Sequence, residues 1–362
     1  MFQSDLYELC NKINKRELIL KSLKDDGCVV IVYGSGKFGV AAAEMCIKNG
    51  IKIGAFLEPA QYYYAGKNIL LDGERYDCIN DELLNELDYS FNMLLGVIDY
   101  SLLSNLKRKY TNCHIVEYLD AYEPHIITGN YIKKNLGMLN EIYNALVDKE
   151  SRDVLYQYIY ARYTGDVTLL SNLKHDDNYL YDWELLNLNK NDIVLDGGAF
   201  DGDTIKEIIN FVGEIPKKIF AFEPDINNLT KLKNNISDNF NHIFTVQAGL
   251  YCKDAELRFN NDGTLGSSID ENGRCIVKVQ GIDEHEEYMN VTIIKMDIEG
   301  SELDALHGAY NLLKKEKPRL AICIYHKNDD IIDIYNYLKQ FDYKFYLRQH
   351  SSSVEETVLY AI

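Results

Sequence analysis

Proline is scarce in this chain, with 5 in 362 residues, and tryptophan occurs once. With glycine modest at 23 and hydrophobic residues at 46%, neither half has the composition of a disordered or linker-like protein. No apolar run approaches the roughly 18 residues that a membrane span needs. The longest near-candidate, MLLGVI (Met93 to Ile98), has the length of a buried strand. The N-terminus, MFQSDLYELC, carries an early acid and no apolar core segment, so it does not read as a signal peptide. The eight cysteines form no C-x-x-C pair. That pattern points to reduced thiols in the cytoplasm and away from a disulfide frame or a zinc site. Positive charge is in deficit: 38 Lys and Arg stand against 56 Asp and Glu, a net of −18. A surface this acidic repels phosphate backbones and anionic membranes, so nucleic acid is a poor partner and a small neutral or cationic acceptor a better one.

What is present is alternation of apolar strands with helical stretches, in two series. Residues 1–25 read as a leading helix. CVVIVYGSGKFG (Cys28 to Gly39), IKIGAFLE (Ile51 to Glu58), FNMLLGVI (Phe91 to Ile98) and CHIVEY (Cys113 to Tyr118) are strand-like, with helices between them. Strands alternating with helices imply a parallel sheet covered on both faces, giving a first Rossmann-like domain at 26–122. Residues 123–190 read as a helical connector or cap. Its tyrosine-rich segment, ending at Gly165, predicts packing on the following domain and offers a surface for a homo-oligomer. From 191 to 362 the alternation resumes, and KFYLRQH and ETVLYAI read as an antiparallel hairpin closing the sheet. The fold class expected is α/β with two Rossmann-like domains.

The most informative segment is VLDGGAFDGDT (Val194 to Thr204), a strand, a glycine turn and a helix start. Gly197, Gly198 and Gly202 allow close approach of a ligand to the backbone. The helix start at Asp203–Thr204 offers free N–H groups to a carboxylate. Asp196, Asp201 and Asp203 disfavour a phosphate here but tolerate an amino acid bearing an ammonium and a sulfonium. KIFAFEP ends its strand with Glu223 and Pro224, and Glu223 follows Asp196 by 27 residues. An acid at that strand end accepts hydrogen bonds from ribose hydroxyls. IIKMDIEGSELDAL (Ile293 to Leu306) delivers Asp297 and Glu299 to the carboxyl edge of the sheet, where open α/β folds place ligands. Glu302 fits either this edge or the cap of the next helix.

In this order DGGAFDGDT, FAFEPDINNLTKLKNN, GSS (Gly266 to Ser268), VQGIDEH and IKMDIEGSELDALHGA resemble the FkbM family of methyltransferases, over essentially the whole second half. The resemblance implies a class I methyltransferase fold, S-adenosylmethionine as donor, and transfer to a hydroxyl of a small molecule, sugar or glycan component. Carried over, Asp196, Gly197, Gly198, Ala199, Asp201, Asp203, Thr204, Glu223, Pro224 and Ala248 would hold the donor. Asp297 and Glu299 would face its methionine end and the acceptor. Two positions depart from the family: Phe200 stands where Asn is frequent, and Tyr325–His326 where a carboxylate is expected after the fifth strand. A hydroxyl acceptor needs a proton acceptor. His326, at a strand's carboxyl end, is the first candidate with Asp297 or Glu299 orienting it, and His350 the second. Asp297, Glu299 and His326 also have ligand types that suit divalent ions, but without a spacing signature no metal is assigned.

GSGKFG (Gly34, Gly36, Gly39) follows a strand, and Glu58 ends the next strand 19 residues after Gly39. This is compatible with a nucleotide site or with a domain that uses its glycines only for packing. Two other functions stay open at this point. One is an NAD-dependent oxidoreductase run by this first domain, for which no Tyr-x-x-x-Lys or Cys–His set is visible. The other is a non-enzymatic scaffold with a methyltransferase-like shape.

Overall fold

The computed structural model describes residues 2–86, 89–97, 102–175, 179–236, 241–260, 268–269 and 275–362. Ile98, and Gly266 and Ser267 of the GSS motif, lie outside the described residues. The chain divides into two compact units. The first is Met1–Leu136 with Tyr156–Asn172 and Ser352–Val354, and the second is Gly137–Leu155 with Leu173–Ser351 and Glu355–Ile362.

The first unit opens with two helices where the sequence suggested one, α1 (Phe2–Leu9) and α2 (Lys15–Asp26). The break has a local cause: the Asn14 side chain accepts from Arg16 N–H and caps α2, while Gly27 closes it in the left-handed conformation. Then follow β1 (Val29–Tyr33), α3 (Lys37–Lys48), β2 (Ile53–Leu57), β3 (Asn68–Leu71), β4 (Glu74–Ile79), α4 (Asp81–Asn85), β5 (Phe91–Leu95), α5 (Leu102–Lys109) and β6 (Cys113–Tyr118). The sheet order is β3-β4-β2-β1-β5-β6, parallel except for the β3–β4 hairpin. That hairpin escaped the sequence reading because ERYDCI is polar and largely exposed. The core packs Val30, Val32 and Phe56 of the sheet against Ala42, Ala43 and Cys46 of α3. Gly39 makes this possible, since a Cβ there would lie 2.0 Å from the Gly34 carbonyl oxygen.

Three helices come next: α6 (Gly129–Ala145), α7 (Lys149–Thr164) and α8 (Thr168–Ser171). The expectation that the tyrosine-rich helix packs on the following domain needs correction. The part from Tyr156 onward belongs to the first unit. There Tyr163 Oη donates to the Cys10 carbonyl at 3.0 Å and Arg162 donates to the Pro124 carbonyl. The first turn of α7 goes the other way, with Ser151 Oγ accepting from Leu347 N–H at 2.9 Å.

The second unit holds β7 (Ile193–Gly197), α9 (Asp203–Val212), β8 (Lys218–Phe222), α10 (Ile226–Asn235), β9 (Ile243–Val246), β10 (Gly249–Leu250), β11 (Ala255–Asn260), β12 (Ser268–Ile269), β13 (Cys275–Gln280), β14 (Ile293–Met296), α11 (Glu302–His307), α12 (Tyr310–Glu316), β15 (Arg319–Cys323), α13 (Asp330–Leu338), β16 (Phe345–Gln349) and β17 (Thr357–Ala361). Its main sheet has the order β16-β17-β15-β14-β7-β8-β9. Only β17 runs against the others, inserted between β15 and β16 and antiparallel to both. The expected terminal hairpin is therefore present, with its last strand inside the sheet. This is the α/β arrangement that the sequence implied. A smaller sheet, β10-β13-β11-β12, is spliced between β9 and β14. Strands β7, β14 and β15 are apolar and buried on both faces, as a parallel sheet covered by helices requires.

Candidate active site

Strand order reverses around β7, and the carboxyl ends of β7, β8, β14 and β15 meet there, at the topological switch point. Asp196, near the end of β7, is fully buried, and the Lys295 ammonium from the neighbouring β14 stands 3.0 Å from its Oδ1. Lys295 also donates to the carbonyls of Gly197 at 3.2 Å and Gly198 at 2.9 Å, so one cation gathers the whole turn. Burial pushes the Asp196 carboxyl up even against this cation. Burial would push Lys295 down, but Asp196 and Asp297 outweigh it and keep the ammonium charged. Gly198 has φ +75°, and a Cβ on it would lie 1.9 Å from the Asp297 carbonyl oxygen. Its absent side chain is thus demanded by the neighbouring strand end.

Beyond Gly198 the turn is tied to β8. Gly198 and Ala199 N–H both donate to the Phe222 carbonyl, at 3.1 and 2.9 Å. Phe200, in the left-handed region at φ +42°, donates its N–H to Glu223 Oε2 at 3.0 Å. The other oxygen of Glu223 accepts from Asp225 N–H at 2.9 Å. Burial pushes this carboxyl up to about 7. Pro224 follows it, and Asp225 caps α10 by accepting from Asn227 and Asn228 N–H. The Asp201 carbonyl is anchored by Asn235 Nδ2 at 2.8 Å, and Asp203 Oδ1 accepts from Thr204 N–H at 2.7 Å at the start of α9. Ala248 is buried just before β10.

A second cluster lies at the ends of β14 and β15. Glu299 is held at φ +56°. The His326 ring stands 3.3 Å from Asp297 Oδ1 and 3.7 Å from Glu299 Oε2 through Nε2, and 3.0 Å from Glu302 Oε1 through Nδ1. Burial alone would lower its pKa, but Glu302 and Asp297 outweigh burial and hold it well above its ordinary value. Asp297 is correspondingly held well below the usual carboxylate range, against burial, by His326 and Lys295. Glu302 is buried and accepts from Ile298 N–H at 2.9 Å, so it braces the turn that carries Glu299. Glu302, His326 and Asp330 have ligand atoms within 4.8 Å of one another. His326, held above its ordinary pKa, offsets part of the carboxylate charge there.

Sequence reasoning missed two members of the site. Lys295 sits in the middle of an apolar strand, which is itself a signal, because a buried lysine requires a partner. Glu356 had no signal: it follows a serine run and is brought in only by the insertion of β17. Ile324 N–H donates to the Thr357 carbonyl at 3.1 Å, and this pairing sets Glu356 beside Tyr325. Tyr325 Oη donates to Asp297 Oδ1 at 2.9 Å and lies 3.4 Å from Glu356 Oε1. A carboxylate is thus brought beside Tyr325 by the residue that precedes β17. Burial, with Asp297 and Glu355 adding to it, pushes the Glu356 carboxyl up to about 8. His350 is placed differently from His326. It is buried with Nε2 at 2.9 Å from Tyr360 Oη, and its backbone N–H donates to the Glu356 carbonyl at 3.0 Å.

Residues 196–345 match the family model of the methyltransferase FkbM domain. That match covers most of the C-terminal half of the chain. The match begins at Asp196 itself and takes in every site residue of the second unit except His350 and Glu356. The FkbM methyltransferase of Methylobacillus flagellatus KT, a solved structure, is 21% identical to this chain, with a TM-score of 0.72 over 99% of this chain and 98% of that one. At that identity the likeness is one of fold, and it runs beyond the FkbM domain through the N-terminal half. Fibrillarin from Aeropyrum pernix, solved with natively bound S-adenosyl-L-methionine, is 12% identical over 48% of this chain and 68% of that chain. Its TM-score of 0.33 carries no argument. No curated protein matches the chain with significance.

Proposed function

We propose that the FkbM domain transfers a methyl group from S-adenosylmethionine to a hydroxyl of a small molecule, sugar or surface-glycan component. The observation that carries the donor assignment is Glu223. It is a buried carboxyl at the second strand end, raised to about 7, whose two oxygens each hold one backbone N–H. The Asn228 side chain also donates to it, and the acceptor capacity that remains suits a ribose hydroxyl. Asp196, Gly197, Gly198, Ala199, Asp201, Asp203, Thr204, Pro224, Ala248 and Asp297 would form the rest of the donor site. The bound donor supplies a methyl group already activated on a sulfonium.

The chain's own part is to orient the acceptor, exclude water and take up a proton. His326 is surrounded by Asp297, Glu299 and Glu302, and its proton is held on. In this reading it is a fixed cation that keeps Asp297 ionised and aimed, rather than the base. Glu356 suits the base better, because a carboxyl raised to about 8 lies near a working pH and reaches Asp297 through Tyr325. Glu299 would face the acceptor, and His350 would hold the Glu356 loop through its backbone bond.

The decisive experiment pairs calorimetric titration with S-adenosylhomocysteine and mass spectrometry of metabolites and glycans from cells with and without the gene. Binding, with one species lighter by a methyl group in the deleted cells, is the expected pair. Absence of binding by the folded protein would remove the donor assignment.

A further inference from the structure

Far from the FkbM site in sequence, three metal-ligating side chains of the first unit converge at the amino end of its sheet. Asp26 ends α2, Cys28 leads into β1, and His114 is the second residue of β6. One nitrogen, His114 Nδ1, faces both of the others: it lies 3.1 Å from Asp26 Oδ1 and 3.7 Å from Cys28 Sγ. The ligating atoms of all three lie within 4.8 Å of one another.

We infer that Asp26, Cys28 and His114 form a three-ligand site for a divalent transition-metal ion, Zn²⁺ by ligand chemistry, with the fourth position open to water. The spacing fits the ion. Tetrahedral Zn²⁺ with its usual bond lengths places nitrogen and oxygen ligands about 3.3 Å apart, and nitrogen and sulfur about 3.6 Å apart. A thiolate, an imidazole and a carboxylate together suit Zn²⁺ and exclude Mg²⁺ or Ca²⁺, which take oxygen ligands. The supporting shell is also in place. Asn92, fully buried in β5, donates through Nδ2 to Asp26 Oδ2 at 2.9 Å, and its Oδ1 accepts from Ile115 N–H at 3.1 Å. This fixes the carboxylate with Oδ1 turned toward His114, as outer partners of metal ligands do. The set was not legible in the sequence because His114 lies 86 residues beyond Cys28 and the three share no C-x-x-C or H-x-x-H spacing. The site sits at the sheet end opposite GSGKFG, so it would pin α2, β1 and β6 together instead of serving a nucleotide.

Co²⁺ is the probe, added to the full-length reduced protein and followed by absorption. One equivalent should produce thiolate-to-cobalt charge-transfer bands together with the visible bands of a tetrahedral ion, and Zn²⁺ should displace both. Cys28→Ser should abolish the charge-transfer band. His114→Ala and Asp26→Ala should each weaken binding at least tenfold, and Asn92→Ala, with no ligand removed, should weaken it less. The three ligands are at least partly exposed, so their variants fold, and a melt checks this. The inference is overturned if wild type shows no thiolate band, or if the band survives in Cys28→Ser because another cysteine provides it.

Discussion

Each unit ends a central strand in a glycine turn, and the two turns are held by opposite means. In the first unit the turn is held by packing. Gly39 fits against the Gly34 carbonyl, and at the end of the strand Tyr33 is paired with Leu95. The acid at the next strand end, Glu58, accepts from Ser35 N–H at 3.1 Å and is paired with Lys67 at 3.0 Å. In the second unit the turn is held by charge: at the strand end Asp196 stands across from Lys295 in register and pairs with it. The matching acid, Glu223, is held by backbone N–H groups and Asn228, and its carboxyl is raised. Both turns even make the same bond from loop N–H to acid. A glycine pattern therefore reports a backbone shape. Whether the acid beside it still has capacity for hydroxyl donors depends on its charge partners, which the pattern does not contain.

The largest expected effect breaks the charged turn itself. Lys295→Met leaves Asp196 buried without its partner, and loss of one member of a buried ion pair costs about 3–5 kcal/mol. Denaturant unfolding should show the drop, and an unchanged midpoint would mean that Asp196 sits neutral and needs no cation. Next, Glu356→Gln should lower turnover on the acceptor by about 10²–10⁴ with donor affinity unchanged, as removal of a general base does. In the wild type, turnover should rise with pH through about 8, because the raised carboxyl must ionise before it can accept a proton. The groups that set that value face it from β14 (Lys295 and Asp297), from β15 and its end (Cys323, Tyr325 and His326), and from Glu355 beside it. A profile independent of pH and of Glu356 would point to an amine acceptor.

A smaller effect separates the two acids directly. Glu223→Gln should weaken S-adenosylhomocysteine binding by about 1.5–3 kcal/mol, the range for hydrogen bonds to a charged group. Glu58→Gln should leave it unchanged, and equal losses in calorimetry would erase the distinction between the turns. Smaller again is the pH effect on binding. The hydroxyl donors favour the carboxylate, so they lower the raised Glu223 pKa and binding releases a proton. Affinity should fall as pH drops below about 7, by up to tenfold per unit. Titrations in buffers of differing ionisation enthalpy would count that proton.

The parallel strands and both glycine turns were legible because period and glycine position are local properties of the chain. So were Asp196, Glu223, Asp297 and Glu299, which end strands at the sheet's carboxyl edge. What escaped depends on pairings remote in sequence. Glu356 becomes part of the site only because β17 enters between β15 and β16. The β3–β4 hairpin and the small β10–β13 sheet carry too little apolar alternation to announce themselves. The protonation of His326 could not be read either. Its position on the chain suggested a base, whereas in the reading proposed above its three acidic neighbours hold the proton on it.

The inserted strand has a consequence for handling the protein. VLYA of β17 is buried on both faces and satisfies the backbone of two neighbours at once. Take Thr357–Ala361 away, and β15 and β16 each present an unpaired apolar edge, the feature that templates intermolecular strand addition. A short deletion there is thus expected to drive the protein into inclusion bodies.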